Sequence, residues 1–172
     1  RFSGFEEENK IFVTVHHTPI RVAIIGGVHI AQNLVKLAKI VNFDPLVVDP
    51  RSGFANVERF ESVTIIEDWP DTALTQISID RNTAIVLLTH DPKLDDPALE
   101  IALNSDAFYI GALGSKKTHA ARIDRMKGLG FGVECTKRIS GPIGLDIGAT
   151  NPAEIAISIL AEIISKLRQD RQ

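Results

Sequence analysis

Short runs of purely apolar residues alternate along this chain with stretches of helical periodicity, and that rhythm narrows the fold more than any other feature. Val22-Ala23-Ile24-Ile25, Pro45-Leu46-Val47-Val48-Asp49 with its closing acid, Val63 to Ile66, Ala84 to Thr89 and Phe108-Tyr109-Ile110 read as five strands. Strands without in–out alternation are those covered by helices on both faces of their sheet. Between them lie a helix carrying Ile30, Leu34, Leu37, Ala38 and Val41 on one side, a short helix near Phe54 to Phe60, and a brief one from Pro70 to Ile77. A fourth is expected to open on Asp96 as N-cap with Pro97 in first position and to run to about Asn104. Gly114-Ser115 caps another, to about Leu129. The last opens on Asn151, Pro152 and Glu154, a capping-box pattern, and buries Ile155, Ile159, Leu160, Ile163, Ile164 and Leu167. Strand–helix–strand repetition means parallel strands with right-handed crossovers. The expectation is an α/β three-layer sandwich with a mostly parallel sheet, strand order 3-2-1-4-5.

This domain is expected over residues 20–172, as a ligand-binding unit. Residues 1–19 are expected to be the tail of an upstream domain, with alternation over Ile11 to His16 suggesting an edge strand and Glu6-Glu7-Glu8 a solvated turn. The segment from Gly130 to Ala149 is glycine-rich and irregular. The net charge of −3 gives no general attraction to nucleic acid. No apolar run reaches the roughly 18–20 residues of a membrane helix. Cys135 is the sole cysteine, which fits a reducing, cytoplasmic setting and reads as an ordinary thiol.

In a sheet of this order, ligands sit beyond the carboxyl ends of the strands where the order reverses. Three loops meet there. The first reads Gly26-Gly27-Val28-His29-Ile30-Ala31 and is compared with the Rossmann dinucleotide fingerprint: Gly26 and Ala31 fit, whereas Val28 stands where a glycine lets backbone approach a pyrophosphate. A helix N-terminus there still offers N–H groups to an anion. Asp49 follows 23 positions after Gly26 and can either accept a ribose diol or cap the turn through Pro50-Arg51-Ser52. The second loop holds Thr89-His90-Asp91-Pro92, with Asp95 and Asp96 beyond it. Thr89 and His90 are candidates to hydrogen-bond a ligand, and the spacing matches no common zinc pattern. The third, Gly111 to Lys117, puts Gly114 and Ser115 at a helix start with Lys116 and Lys117 behind, a combination that suits an anion or simply caps a helix. No activated nucleophile pattern stands out.

With these residues in view, the chain resembles the Rossmann domain of the xanthine dehydrogenase accessory factor (XdhC) family. The resemblance lies in Gly26 to Ala31 with His29, Val48-Asp49-Pro50-Arg51, Leu87 to Asp91 running through Asp95-Asp96-Pro97-Ala98-Leu99, Tyr109 to Ser115, and Gly141 to Gly148, and covers roughly 20–168. Val28 departs from the family's usual Gly-Ala-Gly-His turn. The resemblance implies a Rossmann-like fold that binds the molybdenum cofactor, a molybdopterin, protects it during sulfuration and delivers it to a xanthine dehydrogenase-like molybdenum hydroxylase apoenzyme. It implies a chaperone rather than turnover, with a cysteine desulfurase and a homodimer as further expectations. Gly26, Gly27, His29, Asp49, Thr89, His90, Gly114, Ser115 and Asp146 are then the candidate cofactor-binding residues, with Asp146 either orienting a polar ring edge or only shaping its loop. The competing readings are an NAD(P)-dependent oxidoreductase and an interaction module that has lost its ligand.

Overall fold

A computed structural model describes residues 4–6, 11–13 and 18–169. Six strands, β3 (Arg21–Ile25), β4 (Asp44–Val48), β5 (Thr64–Ile66), β6 (Thr83–Leu87), β7 (Tyr109–Ala112) and β8 (Ile139–Ser140), form a sheet ordered β5-β4-β3-β6-β7-β8. Every pairing in it is parallel. Counting from β3, the order is 3-2-1-4-5 with a sixth strand added at the far edge. β8 was not anticipated, since two residues within a glycine-rich segment carry no readable period.

Ile24 pairs with Val47 on one side and Val86 on the other, so β3 is the centre of the sheet. Its two faces carry two cores. One is closed by α1 (His29–Ile40) and α6 (Pro152–Gln169), through Ala31, Leu34, Val35 and Ala38 against Ala156, Ile159, Leu160 and Ile163. The other is closed by α2 (Pro70–Gln76), α3 (Pro92–Leu103) and α4 (Lys116–Gly128), through Leu74, Leu99, Leu103 and Met126. A short α5 (Val133–Thr136) precedes β8.

Several expectations are corrected. Helix α3 opens five residues early, on Asp91 and Pro92: the same acid–proline signal recurs at Asp96-Pro97, and the earlier copy sets the cap, its carboxylate accepting from the Lys93 N–H at 3.0 Å. Pro97 therefore lies inside the helix, and Asp96 instead pairs with Arg125 at 2.6 Å. Phe54 to Phe60 is a series of turns, in which Arg51 O accepts from the N–H groups of both Phe54 and Ala55 and Asn56 Oδ1 from that of Arg59. Near the N-terminus, β1 (Gly4–Glu6) and β2 (Ile11–Val13) pair antiparallel in a sheet of their own. Ile11–Val13 thus lies in a hairpin, with 14–16 of the expected strand outside the described residues, as are Glu7 and Glu8 of the expected turn, whereas Glu6 ends β1.

Candidate functional site

Where the strand order reverses, the β3–α1 turn is packed from both sides. Gly26 has φ +106°, a conformation that suits glycine, and a Cβ there would lie 2.8 Å from Thr89 Cγ2. The first and second loops therefore touch. A Cβ at Gly27 would lie 2.5 Å from the carbonyl oxygen of Phe54, so the turns after β4 fold over this glycine. Val28 stands at the N-cap of α1 with φ −82° and supplies no capping side chain. Its side chain is half-buried and packs against the α1–α6 core.

Asp49, just after β4, is 0% exposed. It accepts from the Gly27 N–H at 2.9 Å, the Arg51 N–H at 3.0 Å, Arg51 Nε at 2.8 Å and Arg51 Nη2 at 2.7 Å. Burial pushes its pKa up, but hydrogen bonds from Arg51 and from the Gly27 and Arg51 backbone outweigh this and hold the carboxyl below its ordinary value. Of the two roles open to Asp49, the geometry supplies the turn cap: both oxygens are engaged within the chain. Arg51 lies over the Phe54 ring, 4.1 Å from its centroid.

The β6–α3 loop brings Thr89 and His90 to the same place. The Thr89 hydroxyl donates to Asp95 through a short contact and accepts from the Asp91 N–H at 3.3 Å. His90 is exposed and has φ +62°, in the left-handed region that residues other than glycine seldom adopt. Asp95 is buried and reaches Arg122 Nη2 at 3.4 Å, and that nitrogen also donates to Leu113 O at 2.8 Å. Burial raises the Asp95 pKa above the ordinary range, even though Thr89 and Arg122 pull it down. Arg122 is 1% exposed, and its Nε and Nη1 have no partner among the described residues.

Leu113 leads into the third turn. Gly114 has φ +142°, and Ser115 caps α4, its hydroxyl accepting from the Thr118 N–H at 3.1 Å. The rest of the first turn leaves N–H groups directed out of the helix end, with exposed Lys116 and Lys117 beside them. The loop carrying Asp146 is stitched to β7 by the Ile143 N–H donating to Ala112 O at 3.2 Å, and to α6 by the Gly144 N–H donating to Glu162 at 2.8 Å.

Gly26, Gly27, Asp49 and Thr89 are thus one contact patch, and the relay Thr89–Asp95–Arg122–Leu113 joins it to Gly114 and Ser115. His90 follows Thr89, and His29 opens α1 as an exposed residue whose carbonyl accepts from Asn33 Nδ2 at 3.1 Å. Asp146 is exposed on its loop, and among the described residues no hydrogen bond draws its side chain toward the patch. Three residues that hold the site together are not among the candidate cofactor-binding residues read from the sequence: Arg51, Asp95 and Arg122. The Asp-x-Arg spacing at 49–51 was the available signal. Among the described residues, no three His, Cys, Asp or Glu side chains gather as metal ligands do. Cys135 is half-buried, with its Sγ 3.7 Å from Leu103 O.

A parallel sheet with order reversal between β3 and β6, and glycine turns meeting above it, defines a Rossmann-type domain, a class whose ligands sit at that reversal. Within that class the chain belongs to the XdhC family, matching the XdhC Rossmann domain over residues 22–163. It is 38% identical over 107 residues to the molybdenum cofactor insertion chaperone PaoD of Escherichia coli, covering 62% of this chain and 33% of that protein. It is 28% identical over 161 residues to a probable xanthine dehydrogenase subunit of Bacillus subtilis, covering 93% of this chain and 47% of that one. A solved structure of a xanthine dehydrogenase from Bacillus halodurans superposes with a TM-score of 0.77 at 30% identity, over 88% of this chain and 43% of the other. The chain spans from about a third to about half the length of these relatives.

Proposed function

We propose that this chain is the cofactor-holding domain of an accessory protein that carries the molybdenum cofactor to a xanthine dehydrogenase-type hydroxylase. The reading is supported by its likeness to a molybdenum cofactor insertion chaperone together with the start of α4, where the Ser115 cap is followed by exposed Lys116 and Lys117. Molybdopterin bears a phosphate, and the first turn of α4, with Gly114, Ser115, Lys116 and Lys117, presents N–H groups and positive charge to such a group. Bound, the cofactor supplies the molybdenum centre that the hydroxylase uses. Thr89 and His90 then offer hydrogen-bonding groups from the β6–α3 loop, with Thr89 oriented by the buried Asp95. This is a holding and shielding role without turnover. It extends to a cytoplasmic location, a homodimer, delivery to the hydroxylase apoenzyme and contact with a cysteine desulfurase while the cofactor is held.

The dinucleotide alternative gains no observation in its favour. The Gly27 N–H is taken by Asp49 and the α-carbon of Gly27 lies under the Phe54 carbonyl, so the usual pyrophosphate approach is occupied.

The chain purified from a host able to make molybdopterin, then denatured and oxidised, is expected to release a fluorescent pterin. The same chain from a host blocked in that synthesis is expected to release none. Equal, background fluorescence from both preparations would sink the carrier reading.

A further inference from the structure

The Asp49–Arg51 pair is one-sided. The carboxylate is fully buried, whereas the Arg51 side chain is 41% exposed. Two of the three guanidinium nitrogens face Asp49, at 2.8 and 2.7 Å, and the third, Nη1, makes no hydrogen bond among the described residues. The group is also held in plane: bidentate pairing fixes one edge, and the ring of Phe54 lies 4.1 Å below its face. Asp49 Oδ2 receives the Gly27 N–H as well as Arg51 Nη2, so the guanidinium sits beside the glycine turn of the crevice. Asp91, the N-cap of α3, is near enough to favour the charged form of Arg51 electrostatically, a smaller influence than its pairing with Asp49. A turn lock alone requires only a counter-charge for Asp49. What this arrangement adds is a rigid outward edge of N–H donors whose ordering has already been accomplished in the free protein.

We propose that Arg51 is an anion-recognition residue of the crevice, positioned by Asp49 to take a phosphate-type oxyanion. The acid that reads a ribose diol in dinucleotide-binding relatives of this fold is here turned inward to hold a cation, and the crevice discriminates for a phosphorylated ligand. The phosphate comes either as free inorganic anion or on a phosphorylated pterin; only the second source rests on the carrier reading above.

Calorimetric titration at low ionic strength separates these sources. The probes are inorganic pyrophosphate, the oxidised metal-free pterin phosphate derived from molybdopterin, and the same pterin after phosphatase treatment. They are tested on the wild-type chain, on R51K and R51M, and on the double variant D49N/R51M, which leaves no buried carboxylate unpaired. R51M and the double variant are expected to lose about tenfold or more in affinity for the phosphate-bearing probes. R51K, a point charge without the fork, is expected to fall between them and wild type. Binding of the dephosphorylated pterin is expected to be the same in all four. Pyrophosphate dependence on Arg51, with neither pterin bound by wild type, sustains the anion site and removes the pterin reading. Pterin phosphate bound equally by wild type and R51M sustains the carrier reading and overturns the role of Arg51. A wild-type chain that binds no phosphate-bearing probe, or an equal loss for both pterins, also overturns it.

Discussion

At the β3–α1 turn a buried carboxylate holds the backbone from below, while beside the β7–α4 turn a buried guanidinium does. Asp49 gathers four donors and has as its counter-ion an arginine that water reaches. Arg122 is enclosed, with one weak ionic contact to Asp95, one good bond to Leu113 O, and two nitrogens unpartnered among the described residues. Both oxygens of the buried Asp49 are engaged whereas two nitrogens of the buried Arg122 are not, although the two turns read alike in sequence, as glycine turns that could hold an anion. The difference teaches where each turn can still bind. At the α1 end the Gly27 amide is closed over by Asp49 and Phe54 and, among the described residues, only the outer edge of Arg51 is left free, whereas the α4 end keeps its first backbone amides outward.

The largest effect is expected from breaking the enclosed pair. Asp95→Ala strands a charge that cannot hydrate, at a cost of about 3–5 kcal/mol in urea unfolding. Replacing both partners, as in D95L/R122M, is expected to cost much less, since the unmatched charge disappears with its partner. Asp49→Ala should cost less than Asp95→Ala, about 2 kcal/mol, because Arg51 turns to water when released. A larger loss at Asp49 than at Asp95 would reverse the comparison.

The two carboxylates should also respond to pH with opposite signs. Asp49 is held below its unfolded value of 3.8, so its contribution is complete above that pH and is lost as pH falls through the lower, folded value. Asp95 is raised above 3.8, so in the window between 3.8 and its folded value the native state binds more protons than the unfolded chain. Stability then declines as pH rises through that window. Urea midpoints across the acid range are the measurement. D49N should flatten the limb below 3.8, and D95N should remove the decline above it.

The layer architecture was legible because β3, β4 and β6 are buried on both faces and, after the first residue of each, carry no polar side chain to blur the pattern. The reversal of strand order, and with it the meeting of Gly26 and Thr89, followed from that. Legibility ended where a signal was duplicated or too short. Two acid–proline pairs competed for one helix start, and β8 has only two residues. The partners of Asp49 were hidden for a different reason: an acid after a strand has the same spacing whether it faces a ligand or its own turn, and only the side-chain direction of Arg51 separates them. Arg122 carries no signal of its own, since the burial of a single arginine among Lys116, Lys117, Arg125 and Lys127 leaves no periodic trace.

Val28 gives the smallest and most discriminating test of the closed turn. From sequence, a valine in the second fingerprint position reads as an obstacle that a glycine would remove. In the structure its φ of −82° suits any residue, and its side chain packs toward the α1–α6 core. Val28→Gly is therefore expected to cost about 1 kcal/mol through lost packing and added chain freedom, measured by urea unfolding. It should not create dinucleotide affinity, because Asp49 still holds the Gly27 amide and the Phe54 carbonyl still covers that glycine. Calorimetric titration with NAD and NADP is expected to give no heat for either wild type or variant. Binding gained by the variant would show that one side chain, rather than the buried carboxylate and the loop above it, closes this end of the crevice.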